Sequence, residues 1–384
     1  MNKRINKIEK IRILHVAQAA GGVDKYIKML FKYMDNDKFE NILVCSHDFK
    51  KEDYANLADE IEYVDMQRQI GNTDISAIRT VRKLIQKYQA DIVYAHSSKA
   101  GVIARVANIG MKKNEVKIKC IYNPHGWAFN MRCGKIKQIF YTVIEKMMSI
   151  FCDKIVCISD AEKQSALDKR ICKTDKLQVI INGIDIEDYL NKENIKLDRI
   201  SRESFGIPNN AFVIGMVGRI SEQKAPDIFI KAAKKIKEKI PEAYFKIVGD
   251  GPYREEIESY AKENDIPLYI TGWVENALDY INLFDVALLL SRWEGFGLVL
   301  PEYMLVGKPI IASNVDAIPN IITNGENGLL VEVDNVESVV EAVIKIYKDN
   351  TLKKCLISQG SITVYEKYDA KRVSRETEEM FEKL

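Results

Sequence analysis

The sequence predicts an α/β protein built from two doubly wound parallel sheets. Short apolar runs alternate with segments of helical period along nearly the whole chain, which is the pattern of βαβ units. The alternation breaks over residues 185–204, which are charged and weakly periodic and predict a linker, and it restarts at Ala211. A chain of 384 residues is also long for a single hydrophobic core, so two domains are expected.

The first half contains six apolar runs that are too short for helices and predict buried strands: residues 11–17, 41–46, 91–95, 117–122, 154–158 and 177–181. Between them, apolar residues at helical spacing predict helices over residues 23–34, 75–88, 99–109 and 136–151. A glycine pair, Gly21-Gly22, separates the first strand from the first helix.

The second half repeats this organisation, with predicted strands over residues 212–217, 244–248, 268–271, 286–290 and 309–312. The helices predicted between them cover residues 226–239, 253–262 and 277–282, followed by one that ends near residue 306. Ligands of doubly wound sheets bind beyond the carboxyl ends of the strands. A cleft between two such sheets is therefore the expected functional site.

The charge of the chain is unevenly distributed. The net charge is +2 overall, but residues 1–190 carry +8 and the remainder −6, and residues 79–154 hold 15 basic and 4 acidic side chains. A solvated basic surface is one interpretation of this asymmetry, and an acidic partner for the first half is the other, with an anionic membrane surface or a phosphate-bearing acceptor as the partner. Nucleic acid is not expected, because no stacking motif or zinc spacing accompanies the basic residues. Seven scattered cysteines without a Cys-x-x-Cys pair favour a cytoplasmic protein.

The most informative motif is Ser291-Arg-Trp-Glu-Gly-Phe-Gly-Leu-Val-Leu-Pro-Glu302, which follows the strand predicted over residues 286–290. Glycines let the backbone approach a ligand, and amides at the start of the next helix can face a phosphate. Glu294 in the loop and Glu302 about one turn into the helix would suit ligand hydroxyl groups, because carboxylates accept charge-assisted hydrogen bonds. Two solvated carboxylates are the alternative that spacing alone would favour.

A second motif, Val217-Gly-Arg-Ile-Ser-Glu-Gln-Lys-Ala-Pro-Asp227, follows the strand predicted over residues 212–217. Arg219 and Lys224 in this loop could neutralise the charge of a leaving diphosphate. No metal ion would then be required, so no metal or other cofactor is expected. Taken alone, an arginine and a lysine in a loop are usually solvated surface residues.

Taken together, the two motifs resemble those of the family 4 retaining glycosyltransferases, which have the GT-B fold of two Rossmann-like domains. The likeness extends to Ile180-Ile-Asn-Gly-Ile-Asp185, Gly249-Asp-Gly-Pro252 and Gly307-Lys-Pro-Ile-Ile-Ala-Ser313, in the family order. It implies an N-terminal acceptor-side domain over residues 1–190 and a nucleotide-sugar-binding domain over residues 191–365. A last helix over residues 366–384 would pack back toward the N-terminal domain.

The resemblance also implies roles for matching residues. Arg219 and Lys224 would hold the donor diphosphate, with the amides of Gly297 and Leu298 adding to phosphate binding. Glu302 would accept the ribose hydroxyls, and Glu294 would contact the donor sugar. In the first half, Gly21 and Gly22 resemble the glycine loop that faces donor phosphate or acceptor, and His125, in Asn123-Pro-His-Gly-Trp127, resembles the family's histidine near the sugar. A histidine that only caps its loop is the alternative for His125.

These resemblances imply a retaining transferase that moves a hexose from a nucleotide-sugar, with UDP expected as the nucleotide, to a hydroxyl group of a lipid-linked or growing cell-surface polysaccharide acceptor. Residues 97–101 and 124–127 are similar to those of capsular and exopolysaccharide transferases, which implies a polyprenyl-diphosphate-linked saccharide as acceptor. Two alternatives stay open, a nucleotide-sugar epimerase of the same fold and a non-catalytic scaffold. A scaffold would be expected to lack some of the four charged residues, Arg219, Lys224, Glu294 and Glu302, that are all present.

One helix bears on membrane association. The segment over residues 136–151 carries an apolar stripe at helical spacing, and such a stripe is more often buried core than membrane contact, so core is favoured. Lysines and arginines surround it, which would suit peripheral binding to the cytosolic face of a membrane if the stripe were exposed.

The chain also departs from many relatives after Glu302, where Tyr303-Met304 replaces an Ala-Met pair.

Overall fold

The computed structural model describes residues 9–67, 71, 73–193 and 200–384, which form two compact units. Unit 1 comprises the described residues up to Asn182 together with Ala370–Leu384, and unit 2 comprises the described residues of Gly183–Asp369. These bounds lie a few residues from those expected at 190/191 and 365/366. Each unit contains one parallel sheet flanked by helices, which confirms the predicted α/β class with two doubly wound sheets.

The sheet of unit 1 consists of parallel strands: β1 (Ile11–Ala17), β2 (Phe39–Cys45), β3 (Glu60–Tyr63), β4 (Ile92–His96), β7 (Lys119–Asn123), β8 (Lys154–Cys157) and β9 (Leu177–Val179). Among the described residues their order is β3-β2-β1-β4-β7-β8-β9. A separate antiparallel hairpin pairs β5 (Lys112–Lys113) with β6 (Val116–Lys117). Consecutive β1 residues Ile13 and Leu14 lie in the cores on opposite faces of the sheet, because side chains alternate along a strand.

Helices cover both faces of this sheet: α1 (Gly22–Tyr33), α2 (Thr73–Lys87), α3 (Ser98–Ala107), α4 (Lys135–Met148) and α5 (Asp160–Asp168). One core packs apolar residues of α2 and α3 against the sheet, and a second core packs those of α1 against the opposite face. Both cores contain fully buried side chains from β1, β2 and β4, so the central strands are covered on both faces.

Unit 2 contains the parallel strands β10 (Phe212–Val217), β11 (Ala243–Val248), β12 (Leu268–Ile270), β13 (Val286–Leu289), β14 (Ile310–Ser313) and β15 (Leu329–Val331). Its helices are α6 (Ile186–Glu193), α7 (Pro226–Lys239), α8 (Arg254–Glu263), α9 (Leu278–Ile281), α10 (Val299–Leu305), α11 (Ile318–Ile321), α12 (Val336–Lys348) and α13 (Asn350–Lys367). The linker predicted over residues 185–204 therefore begins with a helix, α6, and its residues 194–199 lie outside the described residues.

In each sheet the strand order creates one position where the winding of the chain reverses direction. In unit 2 the order is β12-β11-β10-β13-β14-β15, so the first strand of the unit lies beside the fourth. In unit 1, β1 likewise lies beside β4. At these positions the winding of the chain reverses, and the loops that leave the two neighbouring strands diverge to form a crevice that can hold a ligand.

The last helix, α14 (Ala370–Glu382), belongs to unit 1 although it follows unit 2 along the chain. It packs on α1, and the ring of Phe381 lies 5.9 Å from that of Phe39 and 5.8 Å from that of Tyr94. The Ser374 hydroxyl donates a hydrogen bond to the carbonyl of Leu30. None of the helices in the described ranges is both long and apolar enough to cross a bilayer.

Helix α4 corrects one prediction. Its apolar stripe was expected to be core, but most of it is exposed, including Ile136, which is 85% accessible. The residue on its buried side is an acid, Glu145, whose carboxylate forms a 3.0 Å ion pair with Arg105 and accepts a hydrogen bond from the Tyr122 hydroxyl. The helix is therefore anchored by a buried charge pair, and its apolar residues face outward.

Candidate functional site

Two loops of unit 2 leave the sheet at the position where the winding reverses. The β10 loop (residues 218–225) connects β10 to α7 and contains Arg219 and Lys224, and the β13 loop (residues 290–298) connects β13 to α10 and contains Glu294. Strands β10 and β13 are paired neighbours, so the loops lie side by side although about 70 residues separate them. The charged residues singled out in the sequence are brought together in this way.

Lys224 and Glu294 form the central contact between the two loops. The Lys224 ammonium lies 2.5 Å from Oε2 of Glu294, and both side chains are largely buried, with 16% and 11% of their surface accessible. The same oxygen accepts a hydrogen bond from the hydroxyl of Ser291, and the backbone amide of Glu294 donates to Asp316. Arg219 is exposed on the same loop as Lys224, which leaves its guanidinium accessible to an anion.

A second set of contacts fastens the loops to each other. Nη2 of Arg292 donates to both carboxylate oxygens of Asp227 at the start of α7, and Nε of Arg292 forms a further ion pair with Asp334. The backbone amide of Arg292 donates to the carbonyl of Gln223, whose side chain donates in turn to the carbonyl of Trp293. Because planar guanidinium–carboxylate pairs restrict geometry, these contacts hold Lys224 and Glu294 in register.

The motif Gly249-Asp-Gly-Pro252 supports the β10 loop from the other side. A side chain at Gly249 would place its Cβ 2.1 Å from the carbonyl oxygen of Gly218, and one at Gly251 would place it 2.3 Å from that of Ile220. The backbones can approach this closely only because both positions are glycine. The amides of Gly218 and Ile220 donate to the carbonyls of Val248 and Asp250. These contacts fix the backbone on both sides of Arg219.

The start of α10 contains the remaining predicted donor-site residues. Gly297 has a positive φ of 88°, and Leu298 directly precedes Val299, the first residue of α10. Glu302 lies in the first turn and is nearly buried. Pro301 also lies in this turn, where a proline removes no essential backbone hydrogen bond.

Tyr303, the departure from the family pattern, has a definite structural role. Its hydroxyl accepts a hydrogen bond from the amide of Val217 at the end of β10 and donates one to the carbonyl of Leu288 in β13. The phenol thus bridges the two strands where they separate to carry the β10 and β13 loops.

The glycine loop of unit 1 lies between β1 and α1. Gly21 has a φ of 95°, a backbone conformation that residues with a side chain rarely adopt. It directly precedes Gly22, the first residue of α1. Both residues are exposed, and a Cβ added at Gly21 would meet no other atom within 4 Å. The exposed amino end of α1 therefore lies at the edge of the sheet where the winding reverses.

His125 lies in the loop that follows β7 and is held in an unusual backbone conformation, with a φ of 51°. Its amide donates to Oδ1 of Asn123, and the neighbouring Gly126 amide donates to the carboxylate of Glu162. Glu162 is buried, and burial raises the pKa of its carboxyl group to about 7, although its two backbone hydrogen bonds oppose that shift. The loop that presents His125 is thus fastened to the start of α5.

Sequence reasoning did not identify three buried residues that lie behind His125. Nε2 of His125 lies 3.1 Å from Nδ1 of His96, Nε2 of His96 lies 3.2 Å from Nδ1 of His15, and Nε2 of His15 lies 3.1 Å from Oδ1 of Asn41. A partial signal was available, because the chain has only four histidines, and His15 lies within a predicted strand while His96 directly follows another. The adjacency of the strands that carry them was not predictable.

The described part of the chain contains no group of three or more histidine, cysteine, aspartate or glutamate side chains arranged to hold a metal ion. Independence from metal stays a prediction. Around the β10 and β13 loops the charges of opposite sign are instead paired with each other.

Comparison with known protein families assigns both halves of the chain. Residues 20–188 match the family model described as Glycosyltransferase Family 4, and residues 198–361 match the one described as Glycosyl transferases group 1. An uncharacterised 41.2 kDa protein in the cps region of Klebsiella pneumoniae is 31% identical over 337 residues, which cover 86% of this chain and 88% of that protein. The UDP-Gal:α-D-GlcNAc-diphosphoundecaprenol α-1,3-galactosyltransferase of Escherichia coli is 29% identical over 357 residues, which cover 89% of each chain.

Solved structures show the same fold. A glycosyltransferase from Rickettsia africae superimposes with a TM-score of 0.81 at 20% identity, covering 97% of this chain and 98% of that one. HepE of Anabaena, solved in complex with UDP and glucose, gives a TM-score of 0.79 at 19% identity, covering 97% of this chain and 100% of that one. The predicted fold class, two Rossmann-like domains of the GT-B type, is thereby confirmed.

Proposed function

The chain belongs to the family 4 glycosyltransferases of the GT-B fold, and from this premise we propose that it transfers a hexose from a UDP-sugar to a hydroxyl of a lipid-linked saccharide, with retention of anomeric configuration. The single observation that carries the proposal is the pairing of the β10 and β13 loops, which brings Lys224 and Glu294 together beside Arg219 where a doubly wound sheet binds its ligand.

In this proposal, Arg219 and Lys224 bind the diphosphate of the donor. As the bond to the sugar breaks, negative charge grows on the leaving nucleotide, and fixed cations stabilise it most when they are already in place. Lys224 meets that condition, because Glu294 and the surrounding loop contacts hold its ammonium in position. The amides of Gly297 and Leu298 are assigned to phosphate groups on the same grounds of position. The glycine loop of unit 1, at Gly21 and Gly22, is assigned to donor phosphate or acceptor by its resemblance to the glycine loop of the family.

The two glutamates are assigned to hydroxyl groups. Glu302 accepts the ribose hydroxyls, since a nearly buried carboxylate forms strong hydrogen bonds with such donors. Glu294 accepts a hydroxyl of the donor sugar through the oxygen that Lys224 does not contact. Reaction follows a front-side path in which a leaving-phosphate oxygen takes the acceptor proton, so no side-chain nucleophile and no metal ion is needed.

The donor assignment is tested by thermal shift with a panel of UDP-, GDP- and dTDP-sugars, because a ligand of the native state raises the melting temperature according to its occupancy. We expect a shift with UDP and one UDP-sugar, without added metal and in the presence of a chelator. A shift only with another nucleotide, or only with metal added, would contradict the donor or the metal-free site. Transfer to a synthetic prenyl-diphosphate saccharide, with NMR of the new linkage, tests acceptor and retention. Conversion of the donor alone into an isomer would favour an epimerase instead.

The acceptor side of the proposal depends on helix α4. The α4 surface (Ile136, Ile139, Phe140, Val143 and Met147) is an exposed apolar stripe, and the exposed lysines Lys135, Lys137 and Lys146 lie on the same helix. An apolar stripe bordered by cations fits the interface of an anionic bilayer, where each lysine near the surface contributes about 1 kcal/mol. Only residues 126–134, which include a 3-10 turn at Ala128–Asn130, separate His125 from the start of this helix, so membrane contact would bring a lipid-linked acceptor toward the histidine.

Sedimentation with liposomes tests the α4 surface. We expect binding to vesicles of phosphatidylglycerol, weaker binding at high salt, and little binding to phosphatidylcholine. Replacing Ile136, Phe140 and Met147 with serine should abolish binding without loss of the fold, because these side chains contact solvent rather than core. The matched control is Ile75→Ser, an exposed isoleucine on α2.

Binding that persists in the triple variant would refute the assignment of this surface. Concentration-dependent dimerisation that the triple variant abolishes, without vesicle binding by the wild-type protein, would show that the surface pairs with a second copy of the chain.

A further inference from the structure

Four side chains in unit 1 form a continuous series of hydrogen bonds that ends at His125. Asn41 on β2, His15 on β1, His96 at the end of β4 and His125 beyond β7 come from adjacent strands, with distances of 3.1, 3.2 and 3.1 Å between successive polar atoms. The rings of His15 and His96 are nearly parallel, at 8°, and those of His96 and His125 are inclined by 29°. We call these four residues the histidine series.

The bonds of the series cannot be oriented independently. A neutral imidazole carries one N–H donor and one acceptor nitrogen, so each ring that accepts at one nitrogen donates at the other. The Asn41 oxygen can only accept, so Nε2 of His15 donates to it. The same direction then propagates: His96 donates from Nε2 to His15, and His125 donates from Nε2 to His96. Nδ1 of His125 is left as an acceptor.

Burial supports neutral rings throughout. His15 and His96 are fully buried, and burial lowers the pKa of His15 to about 3 and that of His96 well below its usual value. His125 is only partly buried, and the removal of water from its ring likewise lowers its pKa to about 3. The three rings therefore carry no charge at neutral pH. What the hydrogen bonds of the series determine is which nitrogen of each ring carries the proton.

The folding free energy lost by burying the Asn41 amide indicates that the histidine series has a function other than packing. The Nδ2 of that amide is buried without a hydrogen-bond partner, and such a group costs about 1–3 kcal/mol of folding free energy. An apolar residue would avoid that cost, but it would leave His15 without an acceptor. His125 itself is further restrained by the hydrogen bond of its backbone amide and by an edge-to-face contact with the Tyr26 ring, with 4.7 Å between the ring centroids.

We propose that Asn41, His15 and His96 are positioning residues that hold His125 as the Nε2–H tautomer, so that its Nδ1 accepts a hydrogen bond from a hydroxyl of the saccharide substrate. The second half of this statement rests on the proposed function. It assigns His125 to a neutral hydroxyl group and excludes it as a cation that neutralises phosphate, a role left to Arg219 and Lys224.

Nitrogen-15 NMR of the full-length protein with labelled histidine tests the tautomers directly. The chain has four histidines, and His47, which is exposed, supplies a reference for a ring that exchanges between states. We expect His15, His96 and His125 each to show a protonated Nε2 and an unprotonated Nδ1 at pH 7. A protonated Nδ1 at His125, which a reversed Asn41 amide would produce, overturns the proposal. A mixture of tautomers or a charged ring at His125 overturns it as well.

The variant Asn41→Leu tests whether Asn41 determines the tautomer of His125 or only fills space in the core. Removing the acceptor should yield mixed tautomers at His125 in a protein with native circular dichroism, and about a tenfold loss of kcat/KM, the value of one hydrogen bond. An unchanged His125 spectrum in the folded variant also overturns the proposal. If the variant does not fold, the wild-type spectrum still decides. A fixed tautomer in a protein that transfers no sugar would count against the proposed function alone.

Discussion

The ion pair between Lys224 and Glu294 gives the most direct test of the donor site. We consider Lys224→Met, which removes the charge but keeps an unbranched apolar side chain. The lysine side chain passes beside Gly218, where a Cβ added to the glycine would lie 3.4 Å from the lysine Cε, and the methionine side chain can occupy the same space. Exposed ion pairs contribute about 0–1 kcal/mol to stability, and breaking a buried one costs about 3–5 kcal/mol. At 16% and 11% accessibility this pair lies between the two classes. The Ser291 hydroxyl still contacts Glu294 in the variant, so we expect a loss of about 2 kcal/mol.

The effect on catalysis should be larger than the effect on stability. A preorganised group that stabilises transition-state charge contributes about 10²- to 10³-fold in kcat. Lys224→Met should therefore lose at least a hundredfold in turnover, measured as release of UDP, while urea denaturation shows a folded protein. Lys235→Met is the matched control, because Lys235 forms an exposed pair with Glu337 in the same unit. It should change stability by less than about 1 kcal/mol and leave turnover unchanged.

Two outcomes would refute this reasoning. Turnover within twofold of wild type in a folded Lys224→Met protein would show that the ammonium does not act on the diphosphate. A double-mutant cycle with Glu294→Gln that gives no coupling in stability would show that the pair is not formed in solution.

Three further predictions concern the supports of the two sites. Gly249→Ala places a methyl group against the Gly218 carbonyl, so it should displace the β10 loop and weaken UDP binding in calorimetry by at least tenfold, and unchanged affinity would contradict the packing. Because burial raises the pKa of Glu162 to about 7, its contribution to stability is present below about pH 4.5 and is lost as the pH rises through about 7. Wild type should therefore lose up to about 3 kcal/mol relative to Glu162→Gln across that range in urea titrations, and parallel profiles would refute the shift. Tyr303→Phe removes the hydroxyl that bridges the partly buried Val217 amide and the buried Leu288 carbonyl, and it should cost about 1–3 kcal/mol in thermal or chemical unfolding, whereas a neutral effect would show that water replaces the hydroxyl.

The sequence predicted the central strands well, and of the four edge strands it predicted β9 and β12 but missed β3 and β15. The bounds of β1 and β10 agree with prediction, because both strands are buried on two faces and read as unbroken apolar runs. Strand β3, Glu60–Tyr63, was missed because it lies at the sheet edge, where partly exposed positions accept charged residues. The edge strand β15, Leu329–Val331, was also missed.

Helix α4 shows what periodicity leaves undecided. The spacing of Ile136, Ile139 and Phe140 establishes that these side chains share one face, but it carries no information about what covers that face. The structure places Glu145 inward because its partner Arg105, forty residues earlier on α3, is buried at the same place. Such a long-range partner is invisible in a local pattern.

The candidate site was predicted in outline for a similar reason. Motifs that follow apolar strands indicate loops at the carboxyl edge of a sheet, which located Arg219, Lys224 and Glu294 correctly in loops. The contact between Lys224 and Glu294, and the histidine series, both depend on strand order. The strands that carry these residues pair out of chain order, as β1 does with β4 and β10 with β13, so no spacing rule connects them.

The return of α14 to unit 1 has a consequence for the order in which the protein folds during synthesis. Val373, Met380 and Phe381 complete a core that also contains residues of α1, β1 and β4. The ribosome produces these residues only after the whole of unit 2, so unit 2 can fold first although it lies second in the chain. Until α14 emerges, the face of the sheet behind His15 and Tyr94 lacks part of its apolar cover and is available to chaperones. Release of a functional enzyme is thereby coupled to translation of the helix that closes unit 1.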